Sequence, residues 1–123
     1  NCEEALKVYT KAFKAKVTEI QKYGDIPNQG FKVPERDKNL VLHARLHLGD
    51  MEIMCADSEE RSQPGENMYI TVTTKDLSLI KNAWNILKQD GKIYMEISPT
   101  FFAELHGSLR DRFGINWMFI GLK

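Results

Sequence analysis

Residues 42–46 of this chain are Leu-His-Ala-Arg-Leu, and residues 105–109 are Leu-His-Gly-Ser-Leu. A glycine turn and a short apolar strand follow each copy, Gly-Asp-Met-Glu-Ile-Met over 49–54 and Gly-Ile-Asn-Trp-Met over 114–118. The offset is 63 residues between the histidines and 64 between the closing methionines, about half of the 123 residues. Such a repeat predicts duplication of one supersecondary unit that is too small to bury its apolar face alone. The cleft between two such units is a natural ligand site.

Composition predicts a single globular domain over residues 1–123, with 42% apolar and 28% charged residues. Lysine and arginine together number 17, as do aspartate and glutamate, so the formal net charge is zero. This balance argues against nucleic acid or an anionic membrane as partner, because both attract a basic surplus. No apolar run approaches the roughly 18 residues of a membrane-spanning helix.

The chain has two cysteines, Cys2 and Cys55, and neither belongs to a metal-type pair. We interpret them as free thiols, with Cys55 a small core hydrophobe. Free thiols indicate a reducing compartment, and no signal peptide is visible, so the expected location is the cytoplasm.

Apolar periodicity and turn residues define the order of elements. Module one spans about residues 1–57, a linker about 58–66, and module two about 67–123. In module one we predict a helix capped by Asn1, strands over 16–23, 40–48 and 51–56, and a long loop over 25–38. In module two we predict a strand over 67–73, a helix from a cap at Asp76 to 90–91, and strands over 92–97, 103–109 and 115–122. The result is an α+β fold of two βαβββ modules, the first lacking its opening strand before Asn1.

Alternation along the strands predicts which side chains face the helices. The helix side receives the even-numbered positions of 40–48, the odd-numbered positions of 51–56, and Met68, Ile70 and Val72. Trp117 also faces the helix, and we interpret Trp84 and Trp117 as helix-on-sheet packing. The opposite face is mixed in polarity and carries His43, Arg45, His47, Glu52, Met54, Tyr69, Asn116 and Met118. A mixed open face is typical of a pocket wall.

The chain resembles the vicinal oxygen chelate superfamily, the glyoxalase, bleomycin-resistance and ring-cleaving dioxygenase fold, and within it the PhnB-like branch. The resembling stretches are residues 1–6, 42–46 and 107–118, the last being the most specific. The resemblance implies two modules whose mixed sheet forms a cup with the helices on the outer face. It also implies a strand before residue 1 and a homodimer.

Metal-bearing members of that superfamily hold a divalent ion with four ligands on the sheets. The resemblance places three of those positions at Met54, Met118 and about Tyr69, and the fourth on the missing strand. A thioether is a soft, weak donor and a phenol is normally protonated, so neither replaces carboxylate and imidazole. We therefore predict no metal and no other cofactor. Without a metal, the Lewis acid of the superfamily's isomerase and dioxygenase chemistry is absent.

His43 and His106 are equivalent positions of the repeat and the candidate catalytic residues. One interpretation is a general base or a substrate-binding pair, and the other is two strand histidines satisfied by polar neighbours. Glu52 and Glu104 are candidate partners for the histidines or for Arg45. A pair between Arg45 and a glutamate is either structural or part of an anion site.

Two functions therefore stay open. The first is metal-free binding of a compact, partly apolar molecule, and the second is a lyase or isomerase of the glyoxalase type that uses a metal or the histidines. A dimerisation module is a third option. The candidate substrate-binding residues are His43, Arg45, Glu52, Met54, Tyr69, Glu104, His106, Asn116 and Met118. No glycine-rich loop that would hold S-adenosylmethionine follows a strand.

Overall fold

The computed structural model describes residues 1–25, 33–58 and 63–123, and within them the chain forms two α-helices and seven β-strands. The elements are α1 (Cys2–Phe13), β1 (Lys16–Lys22), β2 (Val41–Leu48), β3 (Met51–Cys55), β4 (Ile70–Thr74), α2 (Leu77–Leu87), β5 (Lys92–Ser98), β6 (Leu105–Arg110) and β7 (Asn116–Gly121). The chain divides into two compact units, Asn1–Ser62 and Gln63–Lys123. The predicted α+β class is confirmed. The predicted loop over 25–38 lies partly outside the described residues.

The first unit is an antiparallel sheet of order β1-β2-β3 with α1 packed on one face. Leu46 pairs with Ile53 and Ala44 with Cys55, so these positions share the helix side. Ala44 and Leu46 are fully buried beneath the helix. The alternation of β2 therefore decides which of its side chains remain available on the open face.

Helix α1 is capped by a residue distant in sequence. The side chain of Asn1 makes no capping hydrogen bond, contrary to the prediction from sequence. Instead, Asp57 Oδ1 accepts hydrogen bonds from the backbone nitrogens of Asn1 and Cys2, both at 2.9 Å. Asp57 Oδ2 accepts from the Val41 nitrogen at 2.8 Å. One carboxylate thus joins the start of α1 to the start of β2.

The second unit is a mixed sheet of order β4-β7-β6-β5, in which β4 and β7 run parallel. Helix α2 begins where predicted, since Asp76 Oδ1 accepts from the Leu79 nitrogen at 3.1 Å. Trp84 of α2 packs edge-on against Phe119 of β7, with ring centres 6.0 Å apart. The predicted role of Trp84 and Trp117 in the helix–sheet core is confirmed, because both are almost fully buried.

The sequence repeat has the same strand register in the two units. Arg45 lies directly opposite Met54 across β2 and β3. Ser108, which follows His106 as Arg45 follows His43, lies directly opposite Met118 across β6 and β7. Each methionine therefore occupies the same place on the open face of its own sheet.

Several local predictions were wrong. Met68 precedes β4 and is 81% exposed, and Met51 is 60% exposed at the end of its strand. Neither therefore lies under a helix. Helix α2 ends at Leu87, and the turn is made by Asp90 at φ 57°, three residues beyond the helix. The prediction that Cys55 is a core hydrophobe was also wrong, because Cys55 is half-buried, whereas Cys2 is buried in the core.

Candidate functional site

The open face of the first sheet carries a row of polar side chains centred on Arg45. Its Nε lies 2.9 Å from Glu19 Oε2, and its Nη1 lies 2.6 Å from Glu52 Oε1. Glu19 comes from β1 and Glu52 from β3, so the guanidinium spans the three strands. All three side chains are one-third to one-half exposed. We name Glu19, Arg45 and Glu52 the β2 charge row.

A histidine lies beside each carboxylate of the β2 charge row. His43 Nε2 is 3.8 Å from Glu19 Oε2, and His47 Nε2 is 3.5 Å from Glu52 Oε2. The His47 ring also shares a hydrogen bond of 2.8 Å with Thr18 Oγ1. The row therefore presents two imidazole–carboxylate pairs on either side of one arginine.

Sequence reasoning omitted two members of this cluster. Glu19 was missed because β1 has register shifts between Val17 and Glu19 and between Gln21 and Lys22, which interrupt strict alternation. His47 was placed on the open face but was not selected as a site residue. Side chains two residues apart on a strand share a face, so the spacing of His47 from Arg45 was the sequence signal that could have identified it.

Met54 provides an apolar neighbour for the charge row. It lies opposite Arg45 on the same face of the sheet and is 62% exposed. A thioether beside a guanidinium offers a ligand both an apolar surface and a charged group. This combination suits a molecule that is partly apolar and partly polar.

His106 has different surroundings from its repeat mate. Its ring packs edge-on against Phe102, with centres 5.0 Å apart, and Phe102 packs in turn against the exposed Phe101. Glu104 lies just before β6, where its backbone nitrogen donates to Gly121 O. Within the described ranges no ion pair joins His106 or Glu104 to another side chain. His106 is thus set against aromatic rings and His43 beside a carboxylate.

Asn116 is buried and holds a loop segment. Its Nδ2 donates to Gly65 O at 2.6 Å and to Met68 O at 2.9 Å. The Tyr94 hydroxyl donates to Asn116 Oδ1 at 3.1 Å, and the Tyr94 ring meets Tyr69 edge-on at 6.0 Å. Asn116 therefore orders the segment that leads into β4 and, through Tyr94, the neighbourhood of Tyr69.

Neither thiol has the character of a nucleophile. Burial, followed by the nearby Cys55 and Asp57, raises the pKa of Cys2 to about 12. Burial also raises the pKa of Cys55. Because the thiolate is the reactive form, cysteine chemistry near neutral pH is disfavoured at both positions.

The donor set at the superfamily's metal positions does not fit a divalent cation. Met54 offers a thioether directly across from the Arg45 guanidinium, and Met118 offers one across from the Ser108 hydroxyl. A neighbouring guanidinium repels a cation, and thioethers are poor ligands for hard or borderline ions. Over residues 1–25, 33–58 and 63–123, no group of three or more His, Cys, Asp or Glu side chains is arranged to hold a metal ion.

The fold of the two units, together with the family match over residues 1–120, defines the class of protein, the vicinal oxygen chelate superfamily. Glyoxalase I from Zea mays shares this fold with a TM-score of 0.61 and 18% identity, over 98% of this chain and 41% of the maize protein. The family described as 3-demethylubiquinone-9 3-methyltransferase matches residues 1–120, and the chain belongs to that family.

Two solved structures have greater similarity. Protein PA1353 from Pseudomonas aeruginosa superposes with a TM-score of 0.85 and 26% identity, over 98% of this chain and 88% of that one. A putative 3-demethylubiquinone-9 3-methyltransferase, PhnB protein, from Bacillus cereus superposes with a TM-score of 0.73 and 28% identity, over 96% and 88% of the two chains. The predicted membership of the PhnB-like branch is confirmed. In the described part of the chain, no helix has the length and apolarity needed to cross a membrane.

Proposed function

We propose that this chain binds a compact, partly apolar molecule on the open face of its first sheet without a metal ion. The β2 charge row, with Met54 beside it, is the observation that carries the proposal. The proposed contacts on this sheet are His43, Arg45, Glu52 and Met54. The candidate contacts of the second unit, taken by itself, are Tyr69, Glu104, His106, Asn116 and Met118.

The energetics of the charge row favour a binding role over a structural one. Exposed ion pairs contribute at most about 1 kcal/mol to the free energy of unfolding. Arg45 makes its two pairs at a surface that is one-third to one-half open to water. The fold therefore gains little from this row, and a ligand group can exchange for one of the carboxylates at small cost.

Each group has a distinct role in the proposed complex. The guanidinium of Arg45 bridges Glu19 and Glu52, whose carboxylate oxygens can also accept hydrogen bonds from a ligand. The thioether of Met54 covers an apolar part of the ligand. The imidazoles of His43 and His47 add donors or acceptors beside the carboxylates.

The proposal is tested by native mass spectrometry of the protein mixed with fractionated metabolite extracts, in the presence of a chelator. We expect a bound small molecule in the wild type and its loss in Arg45→Gln and Met54→Lys. The matched control is Lys81→Gln, which removes one charge from the exposed face of α2. Retention of the ligand by Arg45→Gln would contradict the proposed site. Elemental analysis showing a stoichiometric divalent metal would contradict metal-free binding.

The second candidate is a lyase or isomerase that uses a histidine. The separation of 3.8 Å between His43 and Glu19 favours it, since a neighbouring carboxylate orients an imidazole that acts as general base. Loss of turnover in His43→Gln with ligand binding retained would establish catalysis. Equal loss of binding and turnover would assign His43 to ligand binding alone.

A cytoplasmic location is likewise our proposal. Two unpaired cysteines are typical of a reducing compartment. Trapping with a thiol alkylating agent during cell lysis, followed by mass spectrometry, should find both cysteines reduced.

A further inference from the structure

A cleft of about 340 Å³ lies at one end of the second sheet, and its lining includes none of the ligand contacts proposed above. Its wall is formed by the turn before β5, by the end of β6 and by the turn that follows. The lining residues are Pro64, Asp90, Gly91, Lys92, Arg110, Asp111, Arg112, Phe113 and Gly114. Three of these side chains are cations.

Two of the cations lie directly opposite each other. Lys92 of β5 is paired with Arg110 of β6 in the antiparallel register. Like charges at opposed positions of a sheet destabilise it, so this arrangement has an unfavourable electrostatic energy by itself. Lys92 Nζ lies 5.6 Å from the centre of the Tyr94 ring. Within residues 1–25, 33–58 and 63–123, neither Lys92 nor Arg110 forms a side-chain hydrogen bond or an ion pair.

The third cation is held at the rim of the cleft. The guanidinium carbon of Arg112 lies 4.9 Å from the centre of the Phe113 ring. The turn that carries both residues is tight, with the Gly114 nitrogen donating to Asp111 O at 3.0 Å and Gly114 at φ 90°. Arg112 is therefore presented on an ordered turn.

The carboxylate of Asp111 is buried and accepts three hydrogen bonds from neighbouring N–H groups. Its Oδ1 accepts from the backbone nitrogens of Phe113 and Ile115, at 2.9 and 3.0 Å. Its Oδ2 accepts from Trp117 Nε1 at 2.9 Å. Asp111 is 3% exposed. Asp90 is the other acidic residue in the lining, and its negative charge repels a bound anion.

We propose that this cleft binds the phosphate group of a small phosphorylated molecule. A phosphate dianion between Lys92 and Arg110 removes their mutual repulsion and supplies acceptors for the guanidinium fork. The cleft is larger than a phosphate ion, which leaves space for an organic part beside Pro64 and Phe113. A phosphate group is favoured over a carboxylate because its additional acceptor oxygens can contact the guanidinium fork of Arg110 and the ammonium of Lys92 together.

The test is a titration of the full ¹⁵N-labelled chain with inorganic phosphate and with pyrophosphate at constant ionic strength. We expect saturable shifts in the amide signals of residues 91–92 and 110–114, with sodium acetate giving much weaker binding. Arg110→Gln should weaken phosphate binding about tenfold, as loss of one charge-assisted contact predicts. Asp90→Asn should strengthen it, because it removes the opposing charge. Arg110→Lys should fall between the wild type and Arg110→Gln.

The control is Lys81→Gln, which removes one positive charge from the exposed face of α2, outside the cleft. It should leave phosphate binding unchanged. Equal weakening in Lys81→Gln and Arg110→Gln, or shifts that never saturate, would overturn the proposal in favour of general charge attraction. A tenfold loss in Arg110→Gln with no change in Arg45→Gln would support this site independently of the proposed ligand site.

Discussion

Single polar residues organise each unit of this protein. Asp57 joins α1 to β2, Asp111 orders the turn between β6 and β7, and Asn116 holds residues 65–68. Each lies far in sequence from at least one partner or satisfies several donors at once. Buried donors and acceptors without a partner are costly, so these residues stabilise the folded state through the groups they satisfy.

Asp57→Ala should lower the free energy of unfolding by about 1–3 kcal/mol at pH 7, because three backbone nitrogens lose an acceptor. Partial burial alone would raise the pKa of Asp57. The hydrogen bonds from Val41, Asn1 and Cys2 outweigh burial and hold that pKa below its usual value. The unfolded chain therefore takes up the proton first, and the stabilisation is lost as pH falls through the folded-state pKa.

Urea unfolding of the wild type and Asp57→Ala at pH 7 and at pH 3 measures this effect. The difference in the free energy of unfolding between the two proteins should be smaller at pH 3 than at pH 7. The control is Asp50→Ala in the exposed turn before β3, which should change stability by less than about 0.5 kcal/mol. A difference that is the same at both pH values would show that the charge of Asp57 is unimportant.

At the scale of elements, the repeated strands β2 and β6 differ at one instructive position. Ala44 of β2 corresponds to Gly107 of β6 in the repeat. Ala44 is fully buried yet accommodates its methyl group. A Cβ on Gly107 would lie 2.9 Å from Ile97 Cα and 3.1 Å from Met95 O, both of which are backbone atoms of β5. The glycine thus permits β5 to approach β6 closely.

Gly107→Ala should therefore destabilise the protein by about 1–3 kcal/mol, because backbone atoms must move to admit the methyl group. The measurement is the midpoint of urea unfolding, compared between variants whose free energy of unfolding has the same dependence on urea concentration. Gly65→Ala is the matched control, since its Cβ would come no closer than 3.4 Å to another atom, Asn67 Oδ1. Equal effects of the two substitutions would show that close strand approach is not what selects glycine at position 107.

At the scale of the whole molecule, exposed apolar side chains favour association. Phe101 is 92% exposed and Met68 81% exposed. Exposed apolar side chains are commonly covered by another chain.

We predict a homodimer for this reason. Size-exclusion chromatography with light scattering should give about twice the 14.2 kDa mass of the chain. The measured mass should stay the same when the salt concentration is raised, because salt screens charges and not apolar contacts. A mass of 14.2 kDa at all protein concentrations would contradict the prediction.

The sequence predicted much of the fold because the relevant signals are local. Strand alternation placed Ala44 and Leu46 under α1, and the repeat placed Met54 and Met118 at matching positions of their sheets. The prediction that Met68 lies under the helix was wrong, because alternation does not show where strand pairing begins. The first paired residue of β4 is Ile70. The ends of a strand depend on the ends of the strand it pairs with, and the sequence of one strand alone does not contain that information.

The sequence by itself determined the αβββ order of the first unit, the βαβββ order of the second, the helix-covered faces and the mixed polarity of the open faces. These features depend on periods of two and 3.6 residues along the chain. Only the tertiary structure decided which groups meet. Long-range pairing and the register shifts of β1 brought Glu19 to Arg45, whereas His106 came to lie against Phe102. Contacts between distant strands depend on the register of the assembled sheet, and no local pattern records it.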